Sequence, residues 1–267
     1  MRPDFRNVYA PKGTILTAAD KAVAAWLWSG RTATAAGLSA AALHGTQWID
    51  VERPAELYRR NGKPVAGILI HRDELFADEH QLICGIPATT AARTAFDLGR
   101  RRGRTMAVIY VDALANATGL LPRSIHPLIA SHPGVRGLRQ LRDVVELMDG
   151  GAESPQETRT RLVLVAAGLP KPETQIEVGC WRIDMGYREF QVGVEYDGEQ
   201  HWTDPRRRTH DIDRHAELLA LGWVIVRVSA ELLRYRRAVI VERTCAALRA
   251  AGAEWPVIAR ISDQICP

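Results

Sequence analysis

The sequence predicts a mixed α/β protein of two domains, and three observations lead to that prediction. The chain has 267 residues, which is enough for two ordinary domains. Apolar residues follow mostly helical spacing in the first half, whereas the second half alternates between strand-like and helical spacing. Between the halves, the run Asp149-Gly150-Gly151-Ala152 interrupts a helical pattern just before a new helix start. We therefore predict a domain over residues 1–150, a second over 151–252 and a tail over 253–267.

The first domain is expected to be mostly helical with a small β-hairpin region. The pattern becomes strand-like between residues 55 and 84, and Asn61-Gly62 between two alternating runs is typical of a hairpin turn. Thr89 or Thr90 can cap a helix that runs towards Arg100. Further helices are predicted over 19–28, 35–44, 104–115, 122–130 and 135–148.

The second domain is expected to contain a mixed sheet flanked by helices. Ser154-Pro-Gln-Glu157 is typical of a helix start with a capping box, and Gly168-Leu-Pro170 ends that helix. The elements that follow are predicted as strands 174–178, 180–187 and 190–197, a helix over 205–221, a strand over 223–228 and a helix over 230–251.

Strand alternation predicts that several carboxylates lie together on this sheet. The apolar residues of strand 180–187 are predicted to share one face, which leaves Asp184 on the other. In strand 190–197, Glu195 and Asp197 are predicted to lie opposite the apolar face. If the two strands form a hairpin, the three carboxylates lie on one side of the sheet, and Glu157 could reach that side from the preceding helix.

Carboxylates this close together repel one another, so a proton or a cation must neutralise them. No lysine follows Lys171, which leaves Arg182, Arg214 or a hard divalent cation such as Mg²⁺ or Mn²⁺. The alternative is that Glu195 and Asp197 lie at a solvated sheet edge and that Glu157 is only a capping residue.

The second domain also resembles a known family. The run Glu195-Tyr-Asp-Gly-Glu-Gln-His201, the later Asp211-Ile-Asp-Arg214 and the segment 221–228 look like an endonuclease-like domain common in actinobacteria. That domain is related to the very-short-patch-repair endonucleases of the PD-(D/E)XK superfamily. The resemblance covers about residues 150–252 and implies a restriction-endonuclease-like core in the order α-βββ-α-β-α.

The resemblance implies a role for each acidic residue. Asp184 would be the first metal ligand, Glu195 the second and Glu157 a helix-borne acid, with Mg²⁺ or Mn²⁺ as the cofactor. Asp197 stands where the superfamily usually has lysine, and it can bind metal or help to deprotonate water but cannot donate positive charge. His201 could supply acid–base chemistry, or it could be a structural histidine beside Trp202.

The first domain resembles another family. The segments 36–45 and 85–98 are similar to antitoxin-like regulators of the abortive-infection, type IV toxin–antitoxin class. Such proteins begin with a winged helix-turn-helix, and residues 5–10 look like its wing. The resemblance implies a cognate toxin-like partner, and it implies that the DNA-reading helix of that family is missing from this sequence.

Arginine clusters are the remaining signal for a nucleic-acid partner. Residues 100–104 are interpreted as a solvated helix end, because cations favour helix C-termini. Arg206, Arg207 and Arg208 follow the acidic motif and could contact a phosphate backbone, as could the cluster at 234–237. Arg214 could pair with Asp211 or approach phosphate.

Composition excludes other classes. The mean hydropathy is −0.14, and no apolar run approaches the roughly 18 residues of a spanning helix. The opening residues lack an apolar signal segment, and the four cysteines are scattered, so we expect a cytoplasmic protein with no membrane partner.

The expected function is metal-dependent hydrolysis of DNA phosphodiester bonds, in defence or repair. One alternative is a non-catalytic DNA-binding regulator or antitoxin-like protein built on a degenerate nuclease scaffold. Another is a toxin-neutralising module that uses the helical first half. The sequence leaves the oligomeric state open.

Overall fold

The computed structural model describes residues 2–60, 63, 65–198 and 205–258, with backbone only for 2–4 and 205–211. The predicted Asn61-Gly62 turn and His201 lie outside the described residues. The chain forms two compact units, Met1–Gly150 and Gly151–Pro267. Both units combine helices with a mixed sheet, so the predicted α/β class is confirmed. Among the described residues, no single helix is long and apolar enough to cross a membrane.

The first unit is richer in strands than the sequence indicated. An N-terminal pair, β1 (Arg2–Phe5) and β2 (Val8–Ala10), precedes a five-stranded sheet in the order β5-β4-β3-β7-β6. The strands of this sheet are β3 (Thr34–Ala35), β4 (Ala55–Tyr58), β5 (Ile68–His71), β6 (His80–Ile83) and β7 (Ile86–Thr89). The helices are α1 (Ala18–Trp28), α2 (Gly37–Leu43), α3 (Ala91–Arg101), α4 (Arg104–Thr118), α5 (His126–Ser131) and α6 (Leu138–Leu147). Strands of two to four residues are too short to show an alternating pattern.

The predicted hairpin around Asn61-Gly62 is wrong. Strands β4 and β5 pair in parallel, with Ala55 opposite Ile68 and Tyr58 opposite His71. A two-residue turn joins antiparallel neighbours, whereas parallel neighbours need a connection that carries the chain back along the strand. The antiparallel neighbour of β4 is β3.

A buried ionic network joins α3 to the sheet. The Arg93 side chain is 1% exposed, pairs with Glu79, and donates through Nε to Asp97 at 3.1 Å. Its Nη2 donates to the Tyr58 hydroxyl at 2.7 Å, and that hydroxyl donates to Asp97 Oδ2 at 2.7 Å. His132 also pairs with Glu79, at Oε1. Each of these buried charges has a partner, which is the condition under which such groups are tolerated in a core.

The interpretation of residues 100–104 as a solvated helix end is wrong for its first three arginines. Arg100 and Arg101 pair with both Asp73 and Asp97, and Arg102 pairs with Glu56. Their side chains are 6%, 17% and 23% exposed. The arginines at the end of α3 are counterions of two buried carboxylates, Asp97 and Glu56, and of the half-exposed carboxylate of Asp73.

The second unit contains a four-stranded sheet in the order β11-β10-β9-β8. Strand β10 pairs antiparallel with β9 and parallel with β11. The elements are α7 (Pro155–Ala166), β8 (Glu173–Val178), β9 (Trp181–Tyr187), β10 (Val192–Asp197), α8 (Pro205–Ala220), β11 (Val224–Ser229), α9 (Ala230–Tyr235) and α10 (Arg237–Ala250). The single last helix predicted over 230–251 is two helices, because the backbone leaves the helical region at Arg236 (φ −135°, ψ 46°).

Helices cover both faces of this sheet. Val226 of β11 packs in a cluster with α7, α9 and α10, whereas its neighbour Ile225 packs in another with Leu218 of α8. Successive strand residues point to opposite faces, so the two clusters lie on opposite sides of the sheet.

The prediction that the apolar residues of β9 share one face is wrong. Trp181 and Ile183 belong to the α8 cluster, whereas Met185 and Tyr187 belong to the α7–α10 cluster. The alternation therefore breaks around Asp184. A strand buried on both faces can place apolar residues on either side, which removes the polar face that a half-exposed strand needs.

Candidate functional site

Asp184 and Glu195 are brought together by the pairing of β9 with β10. The antiparallel register runs through Val194 opposite Met185, and the next residues along the two strands are Glu195 and Asp184. The amide of Tyr196 donates to Asp184 Oδ2 at 2.9 Å, which holds this carboxylate against β10.

These carboxylates line an open cavity. It has a volume of about 280 Å³, and Asp184, Glu195 and Asp197 share its wall with three arginines, Arg182, Arg214 and Arg227. Arg227 stands beside Glu195 in the parallel register of β10 with β11. The predicted trio of carboxylates is therefore found on one wall, together with an equal number of arginines.

Arg214 is the counterion of Glu195. Its Nη1 donates to Glu195 Oε2 at 2.9 Å and its Nη2 pairs with Oε1, so the two planar groups meet side by side. The same Nη2 donates to the Arg182 carbonyl oxygen at 2.9 Å. Glu195 is only 8% exposed, so this pair is shielded from water far more than a surface salt bridge is. The sequence left Arg182, Arg214 or a cation as neutralising groups, and Arg214 fills that position.

Asp197 has a weaker partner. Its Oδ2 lies 3.6 Å from Arg227 Nη1, and the Arg227 side chain is 42% exposed. A long and solvated contact of this kind contributes little to stability, at most about 1 kcal/mol. Asp197 is therefore available to other cations at the cavity.

Asp184 has the most perturbed carboxyl group of the site. Its pKa is raised to about 7, first because burial disfavours the charged form and then because Glu157 and Glu195 are negative neighbours. The Tyr196 amide and Arg214 act in the opposite direction without cancelling that effect. Near neutral pH this carboxyl is therefore poised between its protonated and ionised forms.

Glu157 lies in the first turn of α7. The Ser154 hydroxyl accepts a hydrogen bond from the Glu157 amide at 3.2 Å, which confirms the predicted N-cap. The predicted capping box is wrong in its other half, because the Glu157 carboxylate does not bond the Ser154 amide. The Glu157 carboxylate accepts from the Glu153 amide at 2.8 Å, and Gln175 Nε2 lies 3.4 Å away. Glu157 is 8% exposed, and burial raises its pKa.

The structure brings some predicted metal ligands together but does not bring all of them to one point. Among the described residues, no group of three or more acidic, histidine or cysteine side chains is arranged to hold a metal ion. Glu157 influences Asp184 electrostatically but is not part of the cavity wall. His201 lies outside the described residues, and so do the side chains of Arg206, Arg207 and Arg208, whose backbone belongs to α8.

Arg227 belongs to the site although its sequence pattern did not predict it. Its signal was a single charged residue inside the otherwise apolar run of β11. A charge in a strand this short and apolar points either to an edge or to a buried partner, and here it lies beside Glu195 in the neighbouring strand.

Fold and cavity together define a class: a two-unit mixed α/β protein whose second unit carries a cavity of carboxylates and arginines. Two uncharacterized proteins of Mycobacterium tuberculosis, from strains CDC 1551 / Oshkosh and ATCC 25618 / H37Rv, resemble this chain. Each is 29% identical over 205 residues, which is 73% of this chain and 74% of the relative. No family model and no solved structure matches the chain.

Proposed function

We propose that the second unit is a divalent-metal-dependent nuclease that hydrolyses phosphodiester bonds in DNA. The observation that carries this proposal is the shared cavity wall on which Asp184 and Glu195, from neighbouring strands, meet Asp197 and three arginines. The resemblance to the very-short-patch-repair endonucleases and their restriction-endonuclease-like core supports the same proposal. Carboxylates and arginines in one polar cavity match a ligand that carries both a cation and phosphate.

The donor set fits a hard cation such as Mg²⁺ or Mn²⁺. Asp184 and Asp197 offer carboxylate oxygens, and these cations are commonly held by one or two carboxylates together with water and substrate phosphate. The pKa of Asp184 is raised first by burial and then by the negative neighbours Glu157 and Glu195, and a cation bound beside Asp184 would offset both effects. A bound cation would supply a water molecule of lowered pKa and would neutralise phosphate charge.

The arginines of the cavity are suited to hold the substrate. A guanidinium group pairs with phosphate as it does with carboxylate, through two parallel hydrogen bonds. Arg182 and Arg227 have half-exposed side chains at the cavity, so they can reach a phosphate without losing a buried partner. Asp197, in the position of the usual lysine, would accept a proton from the attacking water.

The test is cleavage of supercoiled plasmid and of single-stranded DNA by the full chain with Mg²⁺ or Mn²⁺. Asp184→Asn should abolish cleavage because it removes a carboxylate that the protein cannot replace. Glu173→Gln is a matched control, since Glu173 is an exposed acid on β8 that pairs with Arg188. Cleavage that survives Asp184→Asn, or that no divalent ion elicits in the wild type, would overturn the proposal.

A non-catalytic DNA-binding scaffold is the second candidate, and the Arg214–Glu195 pair favours it. A carboxylate with both oxygens held by one arginine is not free to bind a cation until that arginine moves. For this candidate, DNA binding should be independent of divalent metal, and Arg214→Gln should weaken it. The cleavage assay separates the two candidates, because the scaffold binds DNA without cutting it.

A further inference from the structure

A basic and aromatic patch lies where α9 meets α10. The patch consists of the consecutive residues Arg234, Tyr235, Arg236 and Arg237, all of which are exposed. Tyr235 is 70% exposed, which is unusual for an aromatic side chain. The Arg234 guanidinium lies over its ring, 5.1 Å from the ring centroid.

The patch contributes little to the packing of the fold. Leu233 provides the buried contact of α9, and Arg237 uses its Nε to bond the Leu233 carbonyl oxygen at 3.0 Å. Among the described side chains, no carboxylate lies within ion-pair distance of these three arginines. Residues 224–243 hold five arginines against two glutamates, so the positive charge here is in excess.

The patch begins close to the carboxylate cavity. Ser229, the last residue of β11, stands opposite Asp197 in the parallel register, and α9 starts at the next residue. Six residues of helix extend about 9 Å. Along the helix axis, the patch therefore lies about 9 Å from the end of β11.

We propose that this patch binds single-stranded nucleic acid, with a base stacked on Tyr235 and with phosphates against Arg234 and Arg236. A tyrosine ring flanked by arginines provides the two contacts that single strands use, stacking and backbone charge. In a duplex, by contrast, the base faces are already stacked on one another, so the ring has nothing to stack on except an end or an unpaired base. The inference names the substrate form for the proposed nuclease and rests on that function, although the binding itself requires no metal.

The experiment measures the affinity of the full chain for a labelled oligo-dT and for a labelled duplex, in EDTA so that no cleavage occurs. Tyr235→Ala should weaken oligo-dT binding by about tenfold, the usual effect of losing one stacked base, and should leave duplex binding nearly unchanged. Tyr235→Phe should bind as the wild type does, because it keeps the ring. Leu221→Ala is the control, since Leu221 is 50% exposed and precedes the other end of β11.

The arginines are tested by salt dependence. The double variant Arg234→Gln and Arg236→Gln should lower the slope of log Kd for oligo-dT against log salt by about 1.4, which is two single-strand phosphate contacts. Arg188→Gln is the control, because Arg188 lies beyond the far end of β9 and pairs with Glu173.

An oligo-dT affinity that Tyr235→Ala leaves unchanged would overturn the inference, and so would an equal loss for oligo-dT and duplex. The result is separable from the proposed function. If the wild type cuts no DNA but Tyr235→Ala still weakens oligo-dT binding, the nuclease proposal fails and the single-strand site stands. If the wild type cuts DNA and Tyr235→Ala changes neither affinity, the nuclease proposal stands and the single-strand site is overturned.

Discussion

Replacing Asp184 by asparagine should stabilise the metal-free protein, although it removes a residue at the centre of the site. The carboxyl pKa of Asp184 is raised from 3.8 to about 7 in the folded chain. One pKa unit corresponds to about 1.4 kcal/mol, so ionising this group in the native state costs at most about 4 kcal/mol. Asparagine avoids that cost and keeps a side-chain oxygen that can accept from the Tyr196 amide.

The sign of the effect fixes its pH dependence. A carboxyl group whose pKa is higher in the native state than in the unfolded chain favours the native state while it is protonated. That contribution is complete below about pH 4 and is lost as the pH rises through about 7. The free energy of unfolding of Asp184→Asn should therefore differ little from that of the wild type below about pH 4. It should exceed the wild-type value by about 2–4 kcal/mol above pH 7.

Urea denaturation in EDTA, in one-unit steps from about pH 5 to about pH 8, measures this difference in the free energy of unfolding. Glu173→Gln, the exposed control, should show no such trend. Added Mg²⁺ should raise the stability of the wild type by mass action and leave Asp184→Asn unchanged. A difference between the variant and the wild type that stays constant across the pH range would refute the electrostatic reasoning.

Three further predictions follow from contacts in the second unit. Ser154→Ala should lower the free energy of unfolding by about 1 kcal/mol through loss of the N-cap. Glu157→Gln should change it little, because glutamine can accept the same amide hydrogen bond from Glu153. Chemical denaturation measures both free energies. Arg214→Gln should destabilise the metal-free protein by roughly 1–3 kcal/mol, since it leaves the nearly buried Glu195 carboxylate unpaired. Calorimetric titration of the same variant should show tighter Mg²⁺ binding. An unchanged free energy of unfolding together with an unchanged Mg²⁺ affinity would contradict the pairing. Gly186→Ala should cost more than about 2 kcal/mol, because its Cβ would lie 2.4 Å from a carbonyl oxygen of the neighbouring strand. Gly198→Ala, whose Cβ would lie 3.7 Å from the nearest atom among the described residues, should be tolerated in the same thermal melt.

Local signals in the sequence predicted the elements of the second unit well. The Ser154 cap, the break after α7 and the apolar run of β11 each have a short-range cause, so helix and strand positions could be read directly. The first unit was harder to predict because its sheet is built from short strands with non-local partners. The hairpin prediction was wrong for that reason. An Asn-Gly pair indicates only a local turn preference, whereas the pairing of β4 with β3 and β5 depends on contacts between residues far apart in the sequence.

The carboxylates of the site could be predicted, but their environment could not. Alternation in β10 placed Glu195 and Asp197 on one face, and the cavity contains both. Along β9 the same rule misassigned the apolar residues, since both faces of that strand are buried. The partner of each acid depends on which arginine the packing of the helices and strands places beside it. Spacing along the sequence does not predict that packing.

Arg214 shows why the aspartate at position 197 does not by itself decide between nuclease and scaffold. A lysine on β10 would bring positive charge to the cavity from the sheet, whereas here the charge comes from α8 and is held by Glu195. A cation that binds Glu195 must displace the guanidinium, and the freed guanidinium would remain in the cavity, where its fork geometry also suits phosphate. Metal binding and phosphate binding would then be coupled through one side chain. The same pair therefore represents a resting state of an enzyme if Arg214 exchanges partners, and a permanent scaffold contact if it does not.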